Sequence, residues 1–197
     1  MDQPQALQII QREHEALAAV LRTLPLLLRD ARRHRTRPDF AVLRAMLFYI
    51  EEFPEKLHHV KETTMLFPRL RQHTSEGDEA LARLDREHAQ GPEKLRDLSH
   101  QLTAWELLGE TRREAFESAL EPYVRGYLAH MRFEEEVVLP LALRVFGEED
   151  WHILNRAFST HRDALTGQRP EAPYEALFST ITRITPAPYG LADAQPG

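Results

Sequence analysis

The sequence predicts an all-α protein, a four-helix bundle followed by additional C-terminal helices. Three observations carry this expectation. Apolar residues recur at spacings of three and four through four long segments, the period of a helix with one buried face. Gly is scarce, at 8 of 197 residues, while Ala, Leu, Glu and Arg, all good helix formers, dominate. Short connections separate the four segments, as in helices folded back on one another.

Taken in order, Asp2-Gln3-Pro4-Gln5 has the make-up of a helix start. Leu7, Ile10, His14, Leu17, Leu21, Leu24 and Leu28 then form the apolar face of a first helix that runs to about residue 33, with a kink expected at Pro25. The basic run Arg32-Arg33-His34-Arg35-Thr36-Arg37 reads as a solvated connection. A second helix is expected from about Asp39 to His73, with bends or short breaks at Pro54 and Pro68. Ser75-Glu76-Gly77-Asp78 resembles a capping box for a third helix, whose stripe is Leu81, Leu84, His88, Leu95, Leu98 and Leu102. Gly91-Pro92 is expected to interrupt it and Gly109 to end it. Thr111-Arg112-Arg113-Glu114 opens a fourth helix that reaches about Phe146. From Gly147 a shorter helix carries Trp151, Leu154, Phe158, His161 and Leu165 on one face. It serves either to cover one end of the bundle or to form a homodimer contact through Trp151 and Phe158. Residues 174–184 suggest one more short helix. The expected organisation is a bundle over 1–146, a helical extension over 147–184 packed on it, and a flexible tail over 185–197.

Composition excludes much chemistry. With no cysteine, disulfides, thiolate zinc sites, iron–sulfur clusters and cysteine nucleophiles are ruled out. The net charge of −6 argues against nucleic acid as the main partner. No apolar run reaches the ~20 residues of a membrane span, and the start lacks a basic n-region, so a cytoplasmic location is the default expectation. The zincin pattern fails, because His14-Glu15 continues to Ala18. There is no phosphate-binding loop and no Gly-x-Ser-x-Gly elbow.

The informative feature is a repeat. His58 is followed by Glu62 and Pro68, and His130 by Glu134 and Pro140, at identical spacing. Four residues turn a helix by about 400°, so each His and its Glu share a face. Arg12-Glu13-His14 matches Arg86-Glu87-His88 in nearly the same register. Two helical hairpins folded together therefore bring four His and two Glu to one level of the core. Two carboxylates in a dry core repel, and burying one unpaired costs several kcal/mol; a cation removes that cost. Imidazoles and carboxylates suit iron, manganese or zinc, and six ligands fit two ions. His14 and His58 are assigned to one ion, His88 and His130 to the other, with Glu62 and Glu134 as bridges. An ion-pair network without metal is the alternative.

These residues, with Leu66-Phe67-Pro68 and Leu139-Pro140, make residues 4–146 resemble the hemerythrin-like family, specifically its bacterial HHE cation-binding domains. The resemblance implies an up-down-up-down bundle holding two iron ions, oxo- or carboxylate-bridged, with zinc or manganese as stand-ins in vitro. It implies a small ligand (dioxygen, nitric oxide or peroxide), or a part in iron handling. A di-iron redox enzyme and a metal-stabilised interaction protein are the alternatives. The oxygen-carrying members have a further His four residues after the first on the third helix; here that position is Pro92. They also carry an Asp at i+5 on the fourth helix; this chain has Glu134 at i+4 and Glu135 at i+5. A more open site is therefore expected. His59 is expected beside the site or at the surface, and Glu13 and Glu87 are expected to pair with Arg or Lys. Glu55 and its repeat equivalent Tyr127 are placed at the site margin.

Overall fold

The computed structural model describes residues 3–160, Leu165 and 175–184. Among these no strand occurs, and four long antiparallel helical rods form the bundle. The first is α1 (Gln5–His34), which continues without a break through Pro25. The second rod comprises α2 (Phe40–Ile50), a π-helical segment Glu51–His58, α3 (His59–Lys61), a second π segment Glu62–Leu66, and α4 (Phe67–His73). The third is α5 (Asp78–Leu108). The fourth comprises α6 (Arg113–Phe133), a π segment Glu134–Val138, and α7 (Leu139–Val145). α1 packs on α2 and α6, and α5 packs on α2 and α6, which closes the up-down-up-down ring.

Local chemistry sets most boundaries. Asp39 caps α2, accepting from the backbone N–H groups of Ala41 and Val42. Gly109, at φ 88°, ends α5 in a backbone region that favours glycine. Arg35 ends α1 in the left-handed region, with Thr36 N–H donating to Ala31 O at 2.9 Å. The basic run binds neighbouring helices: Arg32 pairs with Glu117, and Arg37 donates to Glu106 O at 3.2 Å.

Three expectations need correction. Gly91-Pro92 does not interrupt the third helix: proline removes one ladder bond, and packing of Leu84, His88 and Leu95 holds the helix on both sides. The Ser75 and Thr111 caps do not form. Gly77 is the N-cap of α5, led in by a backbone turn from Asp78 N–H to Ser75 O, and a short 3-10 turn (Glu110–Arg112) leads into α6. Phe158 is not available to a partner copy, since it is 1% exposed.

Phe158 instead belongs to α8 (Glu148–Ser159), which lies on α1. Asp150 fixes that helix. It accepts from Gly147 N–H at 3.0 Å, from Arg69 at 2.9 Å and from His73 at 3.0 Å. Asn155 Oδ1 in turn accepts the otherwise unpaired Ala6 N–H at 2.7 Å. Trp151 is half-buried, edge-on to Phe146. Further on, α9 (Glu175–Ile184) sets Phe178 against Tyr49 and Phe53. His161 and the 185–197 tail lie outside the described residues.

The core has two apolar parts. One gathers Leu17, Leu21, Leu43, Leu98, Trp105 and Phe116; the other gathers Leu7, Ile10, Leu70, Leu84, Leu139 and Phe158. Every rod passes through a polar level between them, at His14, at His58 to Glu62, at His88, and at His130 to Glu134. Phe158 closes this level from the side, edge-on to the His58 ring at 6.3 Å and beneath Lys61 Nζ at 5.4 Å. Phe158→Ala is expected to destabilise the protein by roughly 3–5 kcal/mol, as for other buried Phe truncations, read by urea unfolding. A loss under about 1 kcal/mol would mean that α8 is not part of the core.

Candidate metal centre

The repeated proline has a local consequence. Pro68 and Pro140 carry no N–H and each removes one ladder bond, and here, unlike at Pro25, Pro92 and Pro122, the ladder ahead of the proline leaves the α register. The ladder widens instead: Phe67 N–H donates to Glu62 O, and Leu139 N–H to Glu134 O. Each π turn begins on a Glu of the repeat. Both carboxylates are fully buried, and His14, His58, His88 and His130 are 4–8% exposed.

The imidazoles are held from behind. His14 Nδ1 faces Glu135 at 2.8 Å, and His58 Nδ1 faces Glu13 at 2.6 Å. His88 Nδ1 faces the Thr63 hydroxyl at 2.9 Å, and His130 Nδ1 faces Glu87 at 2.8 Å. With Nδ1–H donating outward, each neutral ring turns a bare Nε2 inward. Those nitrogens meet in pairs, His14 with His58 at 3.1 Å and His88 with His130 at 3.2 Å. Two lone pairs at that distance repel unless a proton or a cation lies between them. Two nitrogens bound about 2.1 Å from a shared ion sit about 3.0–3.4 Å apart, and the observed spacing falls in that range. A ring nitrogen tied to a carboxylate or hydroxyl is the usual backing of a metal-binding His.

The carboxylates agree. His58 Nε2 lies 2.8 Å from Glu62 Oε1, yet no hydrogen bond satisfies either oxygen of Glu62 or of Glu134. Four buried carboxylate oxygens without a hydrogen bond, faced only by ring nitrogens and by one another, are a large polar burial, and a cation is the simplest way to relieve it. With protons alone the pair divides. Burial pushes Glu62 up, but the His58 charge, with His88 and His59, outweighs it and holds Glu62 well below the usual range. Burial and the neighbouring Glu62 charge push Glu134 well up. Burial alone would lower His58, but the Glu62 and Glu13 carboxylates carry it well above its ordinary value.

Two groups of side chains could each hold an ion: His14, His58, Glu62 and Glu134, and His59, Glu62, His88 and His130. Glu62 belongs to both, the position of a bridge, whereas Glu134 falls in the first group only. His59 takes the first of the two places expected for it, beside the site and not at the surface. It is 7% exposed and stacks on His88 at 4.0 Å between centroids. Its position was readable: 55, 58, 59 and 62 follow the i, i+3, i+4, i+7 stripe of a buried helix face. Glu13 differs from expectation, pairing with His58 rather than a cation. Glu87 meets its expectation by binding Arg83 at 2.8 Å, and it also backs His130 at 2.8 Å. Thr63 and Glu135 carried no separate signal, because their roles depend on which helix lies opposite.

The two groups differ in access. Beside His14 and His58 the free space is about 10 Å³. Beside His59, His88 and His130 a pocket of about 480 Å³ opens between α5 and α6. Glu55 sits at its inner end; burial raises it from 4.5 to about 7, against the opposing effects of its Tyr127 hydrogen bond and of Lys94. Tyr127 O–H donates to Glu55 at 3.1 Å and lies 3.2 Å from His59 Nε2. Gly91 makes room for that carboxylate: a Cβ there would lie 2.7 Å from Glu55 Oε1 and closer still to Oε2.

Residues 5–142 match the family model of the hemerythrin HHE cation-binding domain. No curated protein and no solved structure matches the chain.

The Glu55 carboxyl gives a pH test with a defined sign. Its folded value exceeds its unfolded one, so the folded state holds the extra proton. The stability attached to that proton is complete below about pH 4.5 and lost as pH rises through about 7. Metal-stripped Glu55→Gln keeps the acceptor for Tyr127 and is expected to gain on the wild type between pH 5 and 8. The gain is up to about 3 kcal/mol, measured by denaturant titration at each pH. An unchanged difference across that range would refute the assignment.

Proposed function

Because this chain belongs to the hemerythrin HHE cation-binding domain family, we propose that its buried polar level holds two iron ions and binds a small diatomic ligand. The observation that carries this reading is the paired inward Nε2 atoms, 3.1 and 3.2 Å apart, beside four carboxylate oxygens without a hydrogen bond. His14, His58 and Glu134 would hold one ion and His88 and His130 the other, with Glu62, common to both groups, shared between them. His59 is added to the second ion and supplies on the second rod the fifth imidazole that the oxygen carriers place on the third. Zinc or manganese would occupy the same donors in vitro.

A reduced iron pair held by these residues would supply electrons for dioxygen or a binding site for nitric oxide. The chain's own residues do the rest. Glu13, Glu87, Glu135 and Thr63 fix the rings, and Phe158 excludes water on the closed side. On the open side Tyr127 O–H and Glu55 form a donor–acceptor pair placed to hold a proton near the second group. That pair favours, as a second reading, a redox enzyme acting on peroxide or ferrous iron. Sensing, storage and stress response are the uses compatible with the first reading.

Anaerobic loading with ferrous iron is expected to give two irons per chain by metal analysis. His58→Ala or Glu134→Ala is expected to fall well below two, and His59→Ala to keep only the first. Glu13→Ala or Glu87→Ala is expected to weaken iron about 10- to 100-fold by removing a ring's backing. On admitting oxygen, a spectrum that reverses under vacuum supports binding, and catalytic loss of added peroxide supports the enzyme. Wild-type protein that takes up no transition metal would sink both.

A further inference from the structure

The pocket on the open side is far larger than a diatomic ligand needs. It holds about 480 Å³, whereas a molecule the size of water takes about 30 Å³ in the liquid. Its volume is that of a site for an organic molecule.

Its walls also hold polar atoms that nothing in the chain satisfies. Tyr123 and Gln101 line the pocket, and just behind its wall the Tyr123 O–H and the Gln101 side-chain oxygen are buried with no hydrogen-bond partner. Buried polar groups are nearly always paired, so two such atoms on one wall mark contacts that a small turn of each side chain offers to a ligand. Leu98 and Ala119 supply apolar wall between them. The Tyr123 and Tyr127 rings lie edge to face at 5.7 Å, which suits a flat ring alongside. Charge is balanced in number: exposed Lys94 and Asp97 line the rim with opposite signs, Glu87 is paired with Arg83, and burial raises Glu55 to about 7. The walls therefore carry little net charge to select an ionic ligand.

We infer that the space between α5 and α6 is a binding site for a neutral aromatic molecule with a hydrogen-bonding edge, which is received by Tyr123 and Gln101. This goes beyond the diatomic reading and rests on the metal centre only in that His88 and His130 close the pocket's inner end. A molecule so placed lies against the second metal group and is positioned to be acted on or sensed there.

The test uses the full chain, metal-free and iron-loaded, titrated with benzamide and followed by ligand-observed NMR. Benzoate and benzylammonium are the charged controls. Benzamide is expected to bind with a Kd of about 1 mM or tighter, with Overhauser contacts from its ring to Tyr123. A Cβ at Gly126 meets nothing within 4 Å, and that residue lines the pocket, so Gly126→Leu fills it without disturbing the helix. That variant is expected to lose at least about tenfold in affinity, with iron content and helical circular dichroism unchanged. Tyr123→Phe and Gln101→Leu should each weaken binding about threefold or more. Absence of benzamide binding in both metal states, undiminished binding by Gly126→Leu, or tighter binding of either charged control overturns the inference. Two bound irons without benzamide binding refutes this site alone; benzamide binding without metal uptake refutes the metal reading alone.

Discussion

Four bare imidazole nitrogens forced into two close pairs are the constraint on which this structure depends. Each ring is turned inward because its other nitrogen is tied to a side chain on a different rod: Glu13 to His58, Glu87 to His130, Glu135 to His14, Thr63 to His88. These ties lock all four rods at one level. They also leave a layer of polar atoms across a core that is apolar above and below. Such a layer is unfavourable unless positive charge fills it, whether protons shared unequally between Glu62 and Glu134 or a metal pair.

The ties follow the internal repeat. The residue before each first-helix His (Glu13, Glu87) backs the His of the next rod. The residue after each repeat Glu (Thr63, Glu135) likewise backs a His of the following rod, the fourth rod leading back to the first around the ring. Two copies of one hairpin thus build one centre. The copies then diverge where function needs difference. His59 corresponds to Met131, and Glu55 to Tyr127. The first group is sealed by an apolar neighbour, while the second gains an imidazole, an acid and a phenol beside an open pocket.

Much of this was legible in the sequence. The spacing of Leu, Ile and His residues sets the four rods, and the His-x3-Glu-x5-Pro repeat, with the matched Arg-Glu-His at His14 and His88, identifies the six side chains that meet in the core. The meaning of Pro68 and Pro140 was not legible, because a π turn is a choice of hydrogen-bond register that side-chain periodicity does not report. Glu13 was misread for another reason. It lies about 100° from His14 on its own helix, and only the packing of α1 against the second rod shows that this direction faces His58. Gly91-Pro92 looked like a helix break because local propensity is weak beside tertiary packing.

Gly91 and Pro92 also explain why the centre is lopsided. In the oxygen carriers an imidazole on the third helix stands where this chain has Pro92, which is exposed. The neighbouring Gly91 has no side chain, and its missing Cβ is the space occupied by the Glu55 carboxylate. The third rod has therefore withdrawn side chains at the level where the second rod advances two, Glu55 and His59. An imidazole given by the second rod approaches from the α2 side and leaves the α5–α6 side unfilled. Restoring a His at 92 would not rebuild the carrier arrangement, because Glu55 and His59 already occupy the approach. The exchange of one imidazole position for another is thus inseparable from the opening of the pocket, and the two features stand or fall as one change in the fold.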